Sequence, residues 1–294
     1  MKASVRLSVA LAAGVLLTVA AGAPQAVAAQ LRQVTEKVFP LEPGGEFRIN
    51  SQNGRIVVEA WDRPEVRIQI TREVRASDDE RAAQLMKDLS ADVTVSKTSI
   101  SIESKYPKRS ESVGIWDVLG QKVTALNIHY YVQVPAKTRV VLVTSNGEIR
   151  VRGIAGQVLG ETMNGDVEVS STTGHVEVST TNGDIRLAGI TGSARAGTTN
   201  GGINVEIRKL DVGDNVTLQT TNGNVSASLP SNLKATIEAV TTNGAVSIGY
   251  AIVRVGGSTS RAVVGTIGGG DGPAVKLRTT NGNVTVKKAG ESTR

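Results

Sequence analysis

An Asn-Gly pair recurs through the chain at a nearly fixed step. Asn146-Gly147, Asn164-Gly165, Asn182-Gly183 and Asn200-Gly201 follow one another 18 residues apart, and Asn222-Gly223, Asn243-Gly244 and Asn281-Gly282 continue at steps of 22, 21 and 38. An earlier copy, Ser51-Gln52-Asn53-Gly54-Arg55-Ile56-Val57-Val58, stands in the N-terminal half. A half-step, Thr172-Thr173-Gly174-His175-Val176-Glu177-Val178, falls nine residues after Asn164-Gly165, so each unit holds two strand-and-turn halves. A fixed internal period of this length is the signature of stacked repeats.

After each Asn-Gly the residues alternate polar and apolar, as in Asp166, Val167, Glu168 and Val169. Strand side chains point to opposite faces with period two, which sends Val167 and Val169 inward and Asp166 and Glu168 to solvent. Asn and Gly supply the positive backbone angles of tight turns. A meander of hairpins and a parallel solenoid both use such parts; identical corners at a constant step favour the solenoid, because they superpose from one coil to the next. The expected fold is all-β: a parallel β-solenoid with Asn-Gly corners, Thr and Asn ladders along its axis, and a narrow core of Val, Ile and Ala. Low aromatic content, 3%, and 32 glycines agree with a thin interior.

The 38-residue step from Asn243 to Asn281 reads as two coils with one corner replaced, carrying loops at Gly256-Gly257-Ser258 and Gly265–Pro273. Lys287 and Lys288 are expected at the C-terminal edge, where charge discourages edge pairing. Residues 30–140 read as a β-rich cap region with one helix near 78–90, opened by the capping box Ser77-Asp78-Asp79-Glu80, and residues 141–294 as the solenoid repeats. Trp61, Trp116, Tyr130 and Tyr131 read as core in preference to a ligand platform.

Lys2 and Arg6, an apolar run from Leu7 to about Ala23 and small residues through Ala29 describe a signal peptide over residues 1–29, hence an exported protein, periplasmic or at the cell surface. No later stretch is apolar enough to predict a membrane span after its removal. With no cysteine, disulfides and thiolate metal sites are excluded. Net charge is +6, but basic residues alternate with acidic ones, which argues against a nucleic-acid partner. The densest basic group, Lys105, Lys108 and Arg109, reads as a solvated loop.

The run Tyr130–Pro135, then Val140-Val141-Leu142-Val143-Thr144-Ser145-Asn146-Gly147-Glu148-Ile149, with the Asn-Gly repeats after it, resembles the bacterial adhesin family of the DUF4097 type over about residues 45–290. The resemblance implies an exported envelope β-solenoid with a binding or scaffold role, for which an envelope glycan or protein is the expected partner. It brings no catalytic motif.

Chemistry finds little purchase. Asp166 and Asp184 stack as neighbours, as paired carboxylates of a β-helical polysaccharide lyase or hydrolase do, yet equivalent positions hold Glu148, Gly202, Asn224, Ala245 and Asn283, which points to a polar requirement only. His129 and His175 are the only histidines and do not form a zinc motif. Gly268-Gly269-Gly270-Asp271-Gly272 lacks the tandem copies of a calcium repeat. No catalytic, metal or cofactor-binding residue is expected; the outward Thr is expected once per coil, and the polysaccharide-active enzyme stands as the alternative to a non-catalytic binder.

Overall fold

A computed structural model describes residues 29–107, 123–254, 259–269 and 272–290. The chain opens with β1 (Ala29–Pro40), β2 (Glu46–Asn50), β3 (Ile56–Trp61) and β4 (Glu65–Ala76), then the single described helix α1 (Asp79–Asp88), β5 (Ser90–Val95), β6 (Ser99–Lys105) and β7 (Val123–Pro135). Strand pairs follow, each joined by an Asn-Gly turn: β8 (Arg139–Asn146) and β9 (Ile149–Arg152), β10 (Val158–Asn164) and β11 (Val167–Ser170), β12 (Val176–Asn182) and β13 (Ile185–Thr191). The series continues with β14 (Ala194–Asn200) and β15 (Ile203–Lys209), β16 (Asn215–Asn222) and β17 (Val225–Leu229), β18 (Ala235–Asn243) and β19 (Val246–Ile248). A hairpin of β20 (Ile252–Arg254) and β21 (Ala262–Ile267) precedes the last pair, β22 (Ala274–Asn281) and β23 (Val284–Lys288).

Each pair sends one strand to each of two facing sheets. The described residues form an 11-stranded sheet, β1-β4-β7-β3-β9-β11-β13-β15-β17-β23-β19, and a 12-stranded sheet, β20-β21-β18-β22-β16-β14-β12-β10-β8-β2-β6-β5. From β8 to β17 the coils pair in parallel and in register, Asn146 on Asn164 on Asn182 on Asn200 on Asn222. The fold is a parallel β-solenoid flattened into two layers. Val158, Val167, Val169, Val176, Ile185 and Leu187 point between the layers and are at most 1% exposed. Burial of such side chains contributes about 1.5–3 kcal/mol each, which replaces the thick aromatic core that the composition lacks.

The stack reaches back before residue 141. β2 pairs in parallel with β8 and β3 with β9, so Glu46–Trp61 is itself a coil with its corner at Asn53-Gly54. Beyond it the sheets turn antiparallel: β1 pairs with β4 and β4 with β7 over long runs, and β5 pairs with β6. The helix closes this end, with Asp78 accepting from the Arg81 amide at 2.7 Å as N-cap and Ala82 and Leu85 buried beneath it. The Arg72 guanidinium donates to the carbonyls of Met86 and Leu89 at the other end of α1 and to Gln33 on β1, which joins helix, edge strand and β4. Partial burial pulls the Arg72 pKa down.

The C-terminal end differs from the sequence expectation. The β22–β23 coil does not lie at the edge: β22 is held between β16 and β18, and β23 between β17 and β19. Lys287 and Lys288 are therefore paired on Ser228 and Leu229 inside the stack. The chain passes one coil height beyond β17, builds β18–β19, turns back through the β20–β21 hairpin antiparallel to β18, and then fills the gap it left. The 38-residue step thus holds one hairpin and not a second coil. The corners at Asn222, Asn243 and Asn281 carry the same Thr-Thr-Asn-Gly sequence, as do those at Asn182 and Asn200, so any of them stacks on any other and corner sequence cannot reveal their order.

Candidate functional site

At the corners, side chains serve the stack. Asn146 Nδ2 donates to Asn53 Oδ1, and the chain continues through Asn164, Asn182, Asn200, Asn222, Asn281 and Asn243 at 2.8 to 2.9 Å per link. The first Thr of each repeat turns inward: Thr162, Thr180, Thr198, Thr220, Thr241 and Thr279 are buried and donate to a corner glycine carbonyl of the adjoining coil at 2.8 to 3.1 Å. The glycines permit this spacing. A Cβ on Gly165, at φ +155, would lie 2.2 Å from the Gly147 carbonyl oxygen, and one on Gly183 would lie 2.1 Å from that of Gly165.

Asp166 and Asp184 belong to the same system. Asp166 Oδ1 accepts the Asp184 amide at 2.8 Å and Asp184 Oδ1 accepts the Gly202 amide at 2.7 Å. Asn224 and Asn283 do the same for the amides of Asn283 and Ala245. An oxygen acceptor is all the position requires, which explains why Asp and Asn interchange there. The two histidines lie apart, His129 on β7 and His175 in the turn before β12, and the described residues contain no group of three or more His, Cys, Asp or Glu arranged for a metal. Trp116, Lys108, Arg109, Gly270 and Asp271 lie outside the described residues, as do residues 1–28 of the expected signal segment, whose last residue, Ala29, already begins β1. Tyr130 is buried and bonded to Ser104 at 2.6 Å, and burial drives its pKa well above the ordinary tyrosine range. Trp61 donates to the Glu65 carbonyl at 2.7 Å beneath the Arg63 guanidinium.

Two outer faces remain. On the 11-stranded sheet, charges are paired with one another: Glu148 meets Arg55 at 2.9 Å and Arg150 at 2.5 Å, and Arg150 also reaches Glu168 at 3.5 Å. A recess of about 480 Å³ lies beside them, between His129, Tyr131 and Arg32. There His129 Nδ1 accepts the Arg55 amide at 3.0 Å and Tyr131 donates to Glu59 at 2.7 Å, a bond that raises the Tyr131 pKa.

The 12-stranded sheet offers the larger feature, a groove of about 750 Å³ that crosses the coils from Arg48 on β2 to Gln219 on β16. Its side chains are set by the parallel register: Arg195 stands between Glu177 and Thr217, and Gly197 between Ser179 and Gln219. Gly197 deepens it, since a Cβ there would meet nothing closer than the Gln219 carbonyl at 4.0 Å. Thr199 and Thr221 lie at one margin and belong to a row of exposed threonines, with Thr181 before them and Thr280 and Thr242 beyond the groove, one per coil at the strand spacing of about 4.8 Å. Arg195 is 65% exposed and touches Glu177 at 3.4 Å. No residue pattern in the sequence marks this groove, because it arises from the register of strands far apart in the chain, from Arg48 on β2 to Gln219 on β16.

The family model of Toastrack DUF4097 matches residues 45–287, from the start of the first coil to the end of β23. The chain belongs to the Toastrack DUF4097 family. Its long edge strand β1 precedes the matched region. No curated protein matches the sequence. Among the solved structures to which the chain is similar are three of low identity. A "putative cell adhesion protein" from Clostridium sporogenes ATCC 15579 is 13% identical with a TM-score of 0.32, covering 87% of this chain and 100% of that one. A "putative adhesin" from Bacteroides fragilis NCTC 9343 is 12% identical with a TM-score of 0.33, covering 87% and 97%. A "putative lipid binding protein" from Parabacteroides distasonis ATCC 8503 is 10% identical with a TM-score of 0.26, covering 85% and 96%.

Proposed function

We propose that this Toastrack protein is an exported, non-catalytic binder of the cell envelope or cell surface, and that it holds an elongated polar partner, a glycan chain, along the groove of the 12-stranded sheet. The observation that carries the reading is the groove itself: about 750 Å³, running across the strands, with Arg195, Glu177, Gln219 and Thr199 directed into it and not engaged in the corner ladders. Side chains repeated at the coil spacing suit a partner that also repeats, and hydrogen-bonding groups of both signs suit hydroxyl-rich polymers more than polyanions. The carboxylates nearest to a catalytic pair, Asp166 and Asp184, accept backbone amides in the stack, which favours binding over cleavage. Among the described residues no helix is long and apolar enough to cross a membrane. The N-terminal apolar run supports export.

A glycan array probed with the mature protein tests the reading. Binding to a defined polymer class, weakened by Arg195→Ala with Gln219→Ala and accompanied by no release of shorter sugars, is the expected result. Absence of binding together with an unaltered envelope in a deletion strain overturns it.

A further inference from the structure

Asn-Gly is the dipeptide in which intramolecular loss of the side-chain amide is sterically least hindered, because glycine places no Cβ beside the attacking nitrogen. This chain carries eight such pairs. Seven are tied. The glycine amide of each donates to the Asn carbonyl of the next coil, Gly54 to Asn146, Gly147 to Asn164, Gly165 to Asn182, Gly183 to Asn200, Gly201 to Asn222, Gly223 to Asn281 and Gly282 to Asn243, all at 2.9 to 3.0 Å. The ladder also fixes the side chains, because each of these seven asparagines accepts at Oδ1 from its neighbour.

The eighth corner is the last in space. Asn243 donates through Nδ2 to Asn281 at 2.8 Å, but among the described residues no further corner stacks upon it. Among the described residues neither its Oδ1 nor the Gly244 amide has a partner. Gly244 is exposed, whereas the other corner glycines are buried or half-buried.

We propose that Asn243 is a site of spontaneous modification, the one corner of the stack that deamidates while the protein is folded. The Gly244 amide nitrogen gives its proton to hydroxide and attacks Asn243 Cγ. The N–Cγ bond forms, the Cγ–Nδ2 bond breaks, and Nδ2 leaves as ammonia, closing a succinimide. Water then adds across one of the two imide C–N bonds, giving aspartate or isoaspartate. The water formed from hydroxide returns the proton that Nδ2 needs to leave as ammonia, so the net change is one hydroxide consumed, one ammonia released and one carboxylate gained. In the other corners the nucleophile is held by its hydrogen bond, and the carboxamide by two bonds from Asn146 onward and by one at Asn53. The product alters its own surroundings: the donor to Asn281 is lost, a negative charge faces the Asn281 oxygen, and isoaspartate adds a backbone atom where Gly244 must lie against Gly282. The coil β18–β19 is thereby loosened, while the coils that form the groove keep their ties.

Peptide mass spectrometry of the folded protein, aged at mildly alkaline pH, tests this. Asn243 is expected to convert at least about tenfold faster than Asn146, Asn164, Asn182, Asn200 or Asn222, the factor that about 1.4 kcal/mol of hydrogen bonding corresponds to. In urea the eight sites should converge. Conversion of Asn243 no faster than the inner corners, or the same ranking in urea as in the folded chain, overturns the proposal. Asn243→Asp reads the consequence by hydrogen exchange: faster exchange confined to β18–β19 is expected, and exchange there at the wild-type rate contradicts the loosening.

Discussion

The middle of the stack and its two ends meet the same demand by different means. Between β8 and β17 every strand has a parallel neighbour on both sides, and from Asn164 onward each corner repeats the same bonds: an Asn link, a Thr on a glycine carbonyl and a glycine amide on an Asn carbonyl. At the ends the next copy is missing. The N-terminal end replaces it with the antiparallel β1-β4-β7 run and α1, tied together by Arg72. The C-terminal end places its last coil inside and covers β18 with a hairpin. A repeat supplies its own interior bonds but not its own termination, in keeping with nearest-neighbour energetics.

The contrast breaks most sharply at a corner glycine. Gly183→Ala forces a Cβ to within 2.1 Å of the Gly165 oxygen, with a coil packed on each side. We expect a loss of about 3 kcal/mol or more, read by urea unfolding. Gly244→Ala meets Gly282 at a similar 2.0 Å, but its coil is outermost and can lift, so the loss should be clearly smaller. Equal losses at the two sites would remove the distinction between middle and end.

At the N-terminal end, Arg72→Met leaves the last carbonyls of α1 without their donor. A cost of about 2 kcal/mol is expected, with rapid hydrogen exchange in α1 and β1 and none of that change in β12–β15. Weaker still, Asn182→Ala removes two exposed ladder bonds in the middle, for about 1 kcal/mol, while Asn243→Ala removes one and should cost about half as much.

The smallest effect is confined to alkaline solution. Burial raises the Tyr130 pKa above its ordinary value of 10.0, so the folded state keeps a proton that the unfolded chain begins to lose. Its contribution is complete below that ordinary value and declines as pH rises past it. Tyr130→Phe should flatten the alkaline arm of a stability-against-pH curve; an unchanged arm would show that Tyr130 does not titrate on unfolding.

The repeating part of this fold was legible because one period of 18 residues and a two-residue alternation together specify coil and face, as Val167 and Val169 inward against Asp166 outward illustrate. The helix was legible from Asp78 and the Ala82-Leu85 spacing. The strand Ala29–Pro40 was not, since Gln, Arg, Thr, Glu and Lys interrupt its apolar residues and only the partner β4 makes the alternation meaningful. The position of β22–β23 was hidden by the interchangeability of identical corners. The groove escaped for a related reason: Arg195, Glu177 and Gln219 belong to different repeats and become neighbours only through register. Asp166 and Asp184 stood out in the sequence, yet Oδ1 of each accepts a backbone amide of the next coil.

That division between residues that hold the stack and residues that face outward is tested most directly by titrating one glycan polymer, chosen from the array, against three proteins in parallel. Wild type and Asn182→Ala should bind alike although the latter is less stable, and Arg195→Ala with Gln219→Ala should bind at least about tenfold more weakly, about 1.4 kcal/mol, at unchanged stability. Loss of binding in Asn182→Ala with full retention in the groove variant would contradict it.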